Sequence, residues 1–204
     1  METTIEETYR GYQINTGEDN DLPCNTKTLD QYIDREEYME KMHSRVLCVR
    51  LDIHTPIDSE VPLRKKMTRI LESTKRNIES KNKSNNKVDM HYVWTAERTA
   101  QAAKEHVHLA ILVNGNTTQN GYGIFKTLEK VVKRQIPDAN DGLVEFCKSN
   151  GEKGIFIDRN DPHVADKRNE AVYAASYLAK ISSKAYKAKG DRFSSASRLP
   201  SAKR

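Results

Sequence analysis

The feature that most constrains this chain is the run at residues 104–114, where His106 and His108 flank a single valine and lead into five apolar residues, 109–113. An apolar run of that length ending at Asn114-Gly115 reads as a β-strand closed by a turn. Along a strand, residues i and i+2 share a face. Both imidazoles therefore project side by side, and each can offer a nitrogen to one divalent metal. Alone, the pattern fits better two histidines on the wet face of a half-buried strand, since such a pair arises by chance. Residues 88–97, rich in Val, Tyr, Trp and Thr, predict a second strand. If the two form a hairpin with Glu97 facing His106, then Thr95 faces His108 and Val93 faces Ala110. Glu97, His106 and His108 then share one face at one end of the pair. A carboxylate with two imidazoles leaves positions open for water or phosphate oxygens, a mixed set that suits Mg or Mn, with Zn as an alternative.

Farther along, residues 169–184 are good helix formers throughout. Tyr173 and Tyr177 stand at i and i+4 and so lie on one helix face, with Lys180 and Lys184 continuing close to it. A tyrosine can act as a covalent nucleophile when a metal or cation stabilises the developing charge. The same spacing also suits aromatic packing along an amphipathic stripe.

Taken in order, His-hydrophobe-His, a carboxylate on the neighbouring strand and a later Tyr-x-x-x-Tyr-x-x-Lys resemble the HUH endonuclease superfamily of rolling-circle replication initiators. The detail is most similar to the inovirus gene-2-type replication proteins and their YagK/YfjJ-type prophage relatives. Supporting stretches are residues 45–54, Glu97 with His106-Val107-His108, residues 156–160 and residues 175–180. The resemblance spans roughly 45 to 198. It implies an antiparallel sheet flanked by helices, metal ligation by His106, His108 and Glu97, and attack on single-stranded DNA by Tyr177 or Tyr173. Tyr177, in its Tyr-x-x-Lys context, is the preferred nucleophile, and Lys180 stabilises the phenolate or holds a phosphate. Arg50, Arg159, Lys184 and Arg198 are the expected DNA contacts. The family's glycine-containing C-terminal Phe-Gly-x-Ser-Arg is replaced here by residues 193–198, Phe-Ser-Ser-Ala-Ser-Arg.

Bulk properties are compatible with this. The 204 residues suffice for one domain with a sizeable core. The net charge is +5, which permits nucleic-acid binding without requiring it. Acids concentrate in the first 40 residues, and the end of the chain is basic and Ser-rich. No apolar run approaches a membrane span, and the acidic start lacks an apolar signal region, so the expected location is the cytoplasm. Three scattered cysteines (Cys24, Cys48, Cys147) form neither a disulfide framework nor a zinc knuckle. There is no Gly-x-x-x-x-Gly-Lys-[Ser/Thr] loop, hence no expected nucleotide cofactor, and a replication role requires a host helicase and polymerase.

The expected organisation is a polar N-terminal segment and helix (1–44), a catalytic domain (45–186) and a basic tail (187–204). Within it the reading places a helix at 28–43 starting from a Thr28/Gln31 capping box, then a strand at 45–54. Leu47, Val49, Leu51 and Ile53 of that strand face the core. Its other face meets solvent or DNA, where Asp52 and His54 can assist the site. A long helix from Asp58 or Ser59 to about Ser80 follows, then the 88–114 hairpin, a helix at 122–135, a second hairpin from 143–147 and 154–158, and the tyrosine helix. The order α, β, α, β, β, α, β, β, α gives an α+β fold with about five mostly antiparallel strands. Rival readings are a non-catalytic DNA-binding regulator on the same scaffold, a transposase or relaxase with the same chemistry, and a metal-dependent hydrolase without a covalent step.

Overall fold

The computed structural model describes residues 2–56, 62–97, 105–136, 142–149, 152–181 and 193–200. Four short strands open the chain: β1 (Thr3–Thr4), β2 (Thr8–Tyr9), β3 (Tyr12–Gln13) and β4 (Cys24–Asn25). They are followed by α1 (Thr26–Met42), β5 (Arg45–His54), α2 (Met67–Lys81), β6 (Met90–Glu97) and β7 (His106–Asn114). The remainder is α3 (Gly121–Gln135), β8 (Val144–Cys147), β9 (Ile155–Asp158), α4 (Val164–Ser176) and β10 (Ser194–Ala196). The nine expected elements occur in the expected order, and the fold is α+β. Its central antiparallel sheet runs β10-β6-β7-β5, with β8 and β9 both on the far edge of β5.

The sheet is covered on both faces. Alternation along β5 sends Leu47, Val49, Leu51 and Ile53 into one core beneath α2 and α3, together with Leu109 and Ile111 of β7. The opposite face is expected to meet solvent or DNA, on the strength of the polar residues at the end of the strand. Instead Val46 and Cys48 lie in a second core beneath α1 and α4, with Val93, Ala110 and Leu112. Only the second half of the strand, at Arg50, Asp52 and His54, leaves the helical cover, and there polar residues take over. Truncating a fully buried residue such as Leu51 removes about 2–5 kcal/mol.

The structure departs from the sequence reading at several elements. The first helix begins before Thr28, because Asn25 accepts from the Thr28 amide at 2.9 Å and provides the N-cap. The N-terminal segment is not a plain polar lead-in. β2 and β3 form a hairpin across Arg10 and Gly11, both at positive φ, a left-handed two-residue turn that matches strand twist. In the long helix, residues 57–61 lie outside the described residues. A 3-10 turn at Leu63–Lys65 precedes the α-helix, which starts at Met67. β8 and β9 are not a hairpin. Both pair antiparallel with β5, β9 along its first half and β8 along its second, so they are one interrupted edge strand. Gly154, at φ +106, restarts the strand after the break. β10, drawn from the expected tail, pairs with β6 as the opposite edge. Among the described residues no helix is long and apolar enough to cross a membrane.

One buried group opposes this packing. Glu36 of α1 is fully buried, and neither of its carboxyl oxygens has a hydrogen-bond partner. Burial, reinforced by the neighbouring Glu40, pushes its pKa up to about 9. The unfolded chain releases this proton near pH 4, so the folded state binds more protons between there and 9 and loses stability as pH rises through that window. Glu36→Gln is therefore expected to stabilise the protein by about 1–3 kcal/mol at pH 7. It should also flatten the decline of melting temperature from pH 5 to 8, which differential scanning calorimetry reads directly.

Candidate metal centre and tyrosine site

The register of three strands builds the site. β6 and β7 pair with Glu97 opposite His106, Thr95 opposite His108 and Val93 opposite Ala110, as the sequence reading expects. β5 pairs on the other side of β7 with Asp52 opposite His108 and His54 opposite His106. Glu97 Oε1 lies 2.6 Å from His106 Nε2 and 3.2 Å from His108 Nε2. The ligand atoms of all three residues fall within 4.8 Å of one another.

His108 carries the most informative geometry. It is 3% exposed, and its Nδ1 lies 2.8 Å from Asp52 Oδ1. With Nδ1–H donating to that carboxylate, Nε2 is left as a bare lone pair. Nε2 is buried and makes no hydrogen bond of acceptable geometry, although Glu97 is close. An orphaned imidazole nitrogen converging with a second imidazole and a carboxylate fits a divalent cation. The carboxylate–histidine pairing behind it is the usual way a ligand histidine is oriented. Without a cation, burial alone would lower the His108 pKa, but Asp52 and Glu97 outweigh it and the value is raised. Burial likewise opposes ionisation of Asp52, yet His108 and Arg50 hold its pKa below the usual carboxylate value. Asp52 is thus part of the site, a residue the sequence marked only as a helper. Its role follows from the β5–β7 register, which a strand read in isolation does not reveal. His54 stacks on His106 with ring centroids 5.8 Å apart and stands near Glu145 at the rim.

The tyrosines arrive by a different local structure from the one expected. α4 stops at Ser176, and Tyr177 begins a 3-10 turn, Tyr177–Ala179, rather than continuing a helix to Lys184. This turn sets the Tyr177 ring edge-on to His108, centroids 5.0 Å apart. Arg50 lies over the same ring at 4.1 Å and the Lys180 ammonium at 4.7 Å. Burial and then the Glu97 charge raise the Tyr177 pKa, while Arg50 opposes them. Burial, aided by Arg50, lowers that of Lys180. Tyr173 is 45% exposed and shares with Tyr177 and Arg50 the lining of a cavity of about 260 Å³. Of the expected DNA contacts, only Arg50 joins the cluster. Arg159 sits at the other end of β5, where its guanidinium bonds the Glu40 and His43 carbonyls at the end of α1. Arg198 is exposed beyond β10, next to Ser197, whose amide bonds Tyr92 O toward the far end of β6. Lys184 lies outside the described residues.

Fold and site together define an α+β protein with a candidate two-histidine, one-carboxylate metal centre and a tyrosine packed against it. The chain belongs to the YagK/YfjJ C-terminal domain family, whose model matches residues 4–196. No curated protein matches it.

Asp52→Asn is expected to weaken Mn²⁺ binding about 10–100-fold, because the amide no longer fixes the His108 tautomer. His108→Ala should abolish measurable binding. Calorimetric titration of both variants against the parent decides this, with the cation-induced rise in melting temperature as a second readout.

Proposed function

We propose that this protein is a metal-dependent endonuclease and ligase of the HUH type, nicking single-stranded DNA through a 5′-phosphotyrosine link to initiate rolling-circle replication of a phage or prophage element. The observation that carries the reading is the packing of Tyr177 against His108, which joins a tyrosine to a convergent Glu97/His106/His108 donor set. A divalent cation in that set, Mg or Mn, supplies Lewis-acid polarisation of a phosphate oxygen. The chain's own groups do the rest. The Tyr177 oxygen attacks phosphorus in line, the bond to the 3′-oxygen breaks, the phenol gives up its proton and the leaving oxygen takes one up. Arg50 and Lys180, on the Tyr177 ring, favour the phenolate and attract the DNA phosphate. Asp52 holds His108 in one tautomer and orientation. The free energy of the phosphodiester is conserved in the tyrosyl link, so the 3′-hydroxyl can reverse the step and reseal the strand.

Tyr173, accessible on the same cavity, is placed to serve as a second acceptor once Tyr177 is occupied. Replication then depends on a host helicase and polymerase, since the sequence has no nucleotide-binding loop.

Incubation of the full chain with labelled single-stranded oligonucleotides and Mn²⁺, read on denaturing gels, tests the reading. Covalent adducts are expected for the parent, none for Tyr177→Phe or with EDTA, and a loss of at least about a hundredfold for His106→Ala. Tyr173→Phe should keep the first adduct. Adducts that survive Tyr177→Phe but vanish with Tyr173→Phe would reverse the assignment. Tight metal-independent binding with no adduct would identify a DNA-binding regulator instead.

A further inference from the structure

We infer that the aromatic and lysine side chains gathered where α3 meets the β8 edge form a stacking platform for unpaired bases of single-stranded DNA, outside the tyrosine site. The inference rests on the nickase reading above for its ligand and adds to it a second place where the strand is held.

Tyr122, in the first turn of α3, is 44% exposed. Its ring centroid lies 5.8 Å from that of Phe125, three residues on and on the same helix face. Phe125 in turn lies 5.7 Å from Phe146 of β8. Both phenylalanines are half-buried and pack on the core beneath α3, which leaves Tyr122 as the outward ring. The group is fixed in place. Asn120 Oδ1 accepts from the Tyr122 amide at 2.9 Å and caps the first turn. A Cβ at Gly121 would come within 2.4 Å of the Lys153 carbonyl oxygen and 3.0 Å of the Phe146 ring, so glycine lets the start of α3 close on the sheet edge. Two ammonium groups stand beside the rings. Lys153 Nζ is 5.0 Å from the Tyr122 centroid, and Lys126 Nζ is 5.7 Å from it and 5.2 Å from that of Phe125. Both lysines are exposed. Lys126 also bonds Glu129 at 2.8 Å, whereas Lys153 forms no ion pair among the described residues.

Charge selects a polyanion. The segments that cover this face of the sheet, residues 62–88 and 121–136, hold thirteen Lys and Arg against three Asp and Glu. Residues 2–44, which supply α1 on the other face, hold four against eleven. The modest net charge of +5 therefore hides a division across the sheet, and the rings stand on its basic side. A row of phosphates fits such a surface. Exposed rings then select unpaired bases, because a duplex keeps its base faces stacked inside. Position ties the platform to the tyrosine site. β8 lies at the edge of the sheet, and its alternation sends Phe146, opposite Leu51, to the platform and Cys147, opposite Arg50, to the tyrosine cavity on the other face. Lys148, Ser149 and Gly154 line that cavity, and Lys153, next to Gly154, reaches the rings. A DNA strand leaving Tyr177 has to round only one strand edge, with a lysine on each side of it, to bring its bases to Tyr122.

The test uses the full chain as Tyr173→Phe/Tyr177→Phe, so that no strand is cut, with Mn²⁺ and a labelled oligothymidylate in anisotropy titrations across a salt series. Tyr122→Ala should weaken binding about tenfold and leave the salt dependence unchanged, as loss of a stacking face requires. Lys153→Ala should reduce the slope of log affinity against log salt by about 0.7, as loss of one phosphate contact requires. Tyr122→Trp keeps an aromatic face and adds a reporter, since the one native tryptophan, Trp94, is buried. It should bind like the parent, and its emission should be quenched in step with saturation. Parent-like affinity of Tyr122→Ala, or Tyr122→Trp emission that oligothymidylate leaves unchanged at saturation, would overturn the inference. So would a loss as large for a duplex of the same length, which would make the surface a docking site for the duplex backbone. The chain with both active-site tyrosines restored separates the two levels. Adducts from that chain, with Tyr122→Ala binding like its parent, remove the platform alone. Quenching and a tenfold loss without any adduct remove the nickase reading and leave the platform standing.

Discussion

Everything in this site depends on the register of β7 between its two neighbours. A one-residue slip on either side would turn every side chain to the other face, burying Glu97 under α2 and α3 or separating Asp52 from His108. The apolar alternation that fills the two cores resists such a slip at each step along the strands. Leu47, Val49 and Leu51 belong to one core and Val46 and Cys48 to the other, so a shifted β5 would place Arg50 and Asp52 in hydrocarbon. The cost of misregistration is paid in the core, far from the residues whose alignment it guards.

The helical cover is shorter than the sheet, and this creates the contrast between the two ends of one face. Near the start of β5, α1 and α4 cover the strand with apolar side chains. Toward its end, Arg50, Asp52, His54, Glu97 and the two histidines occupy the uncovered part, with Tyr177 entering from the end of α4. Charges that would be costly under the helices pair with one another here. Asp52 serves both His108 and Arg50, and Glu97 lies between two imidazoles.

How much of this was legible in the sequence depended on the range of the interaction. The β6–β7 hairpin is local, and its register followed from alternation alone, so Glu97, His106 and His108 were placed together correctly. The β5–β7 pairing joins strands separated by a helix and another strand, and no local pattern states its offset. Asp52 was therefore visible only as a polar residue at a strand end. The β8–β9 reading erred for a related reason. Two short apolar runs around Ser149-Asn150-Gly151 look like a hairpin, but β5 offers both of them a longer partner. The end of α4 was misjudged because residues 177–184 have helical propensity, while the Lys180 backbone instead pairs with Cys24.

The N-terminal strands tie these observations to the rest of the chain. The Gln13 amide bonds the Asn169 side chain at 2.7 Å, and the Asn15 amide bonds Ser176 Oγ at 2.9 Å, one residue before Tyr177. On the other side, Tyr9 and Arg10 hold acids of α1. Residues 2–25 thus act as a lashing between α1 and the helix that ends beside Tyr177. Their composition gives no hint of this, and a drifting N-terminus would not be expected to matter to chemistry. Yet sequence change there is coupled to the position of Tyr177, so this segment and α4 should diversify together across relatives, while the surface of α2, on the opposite face of the sheet, is free to vary independently.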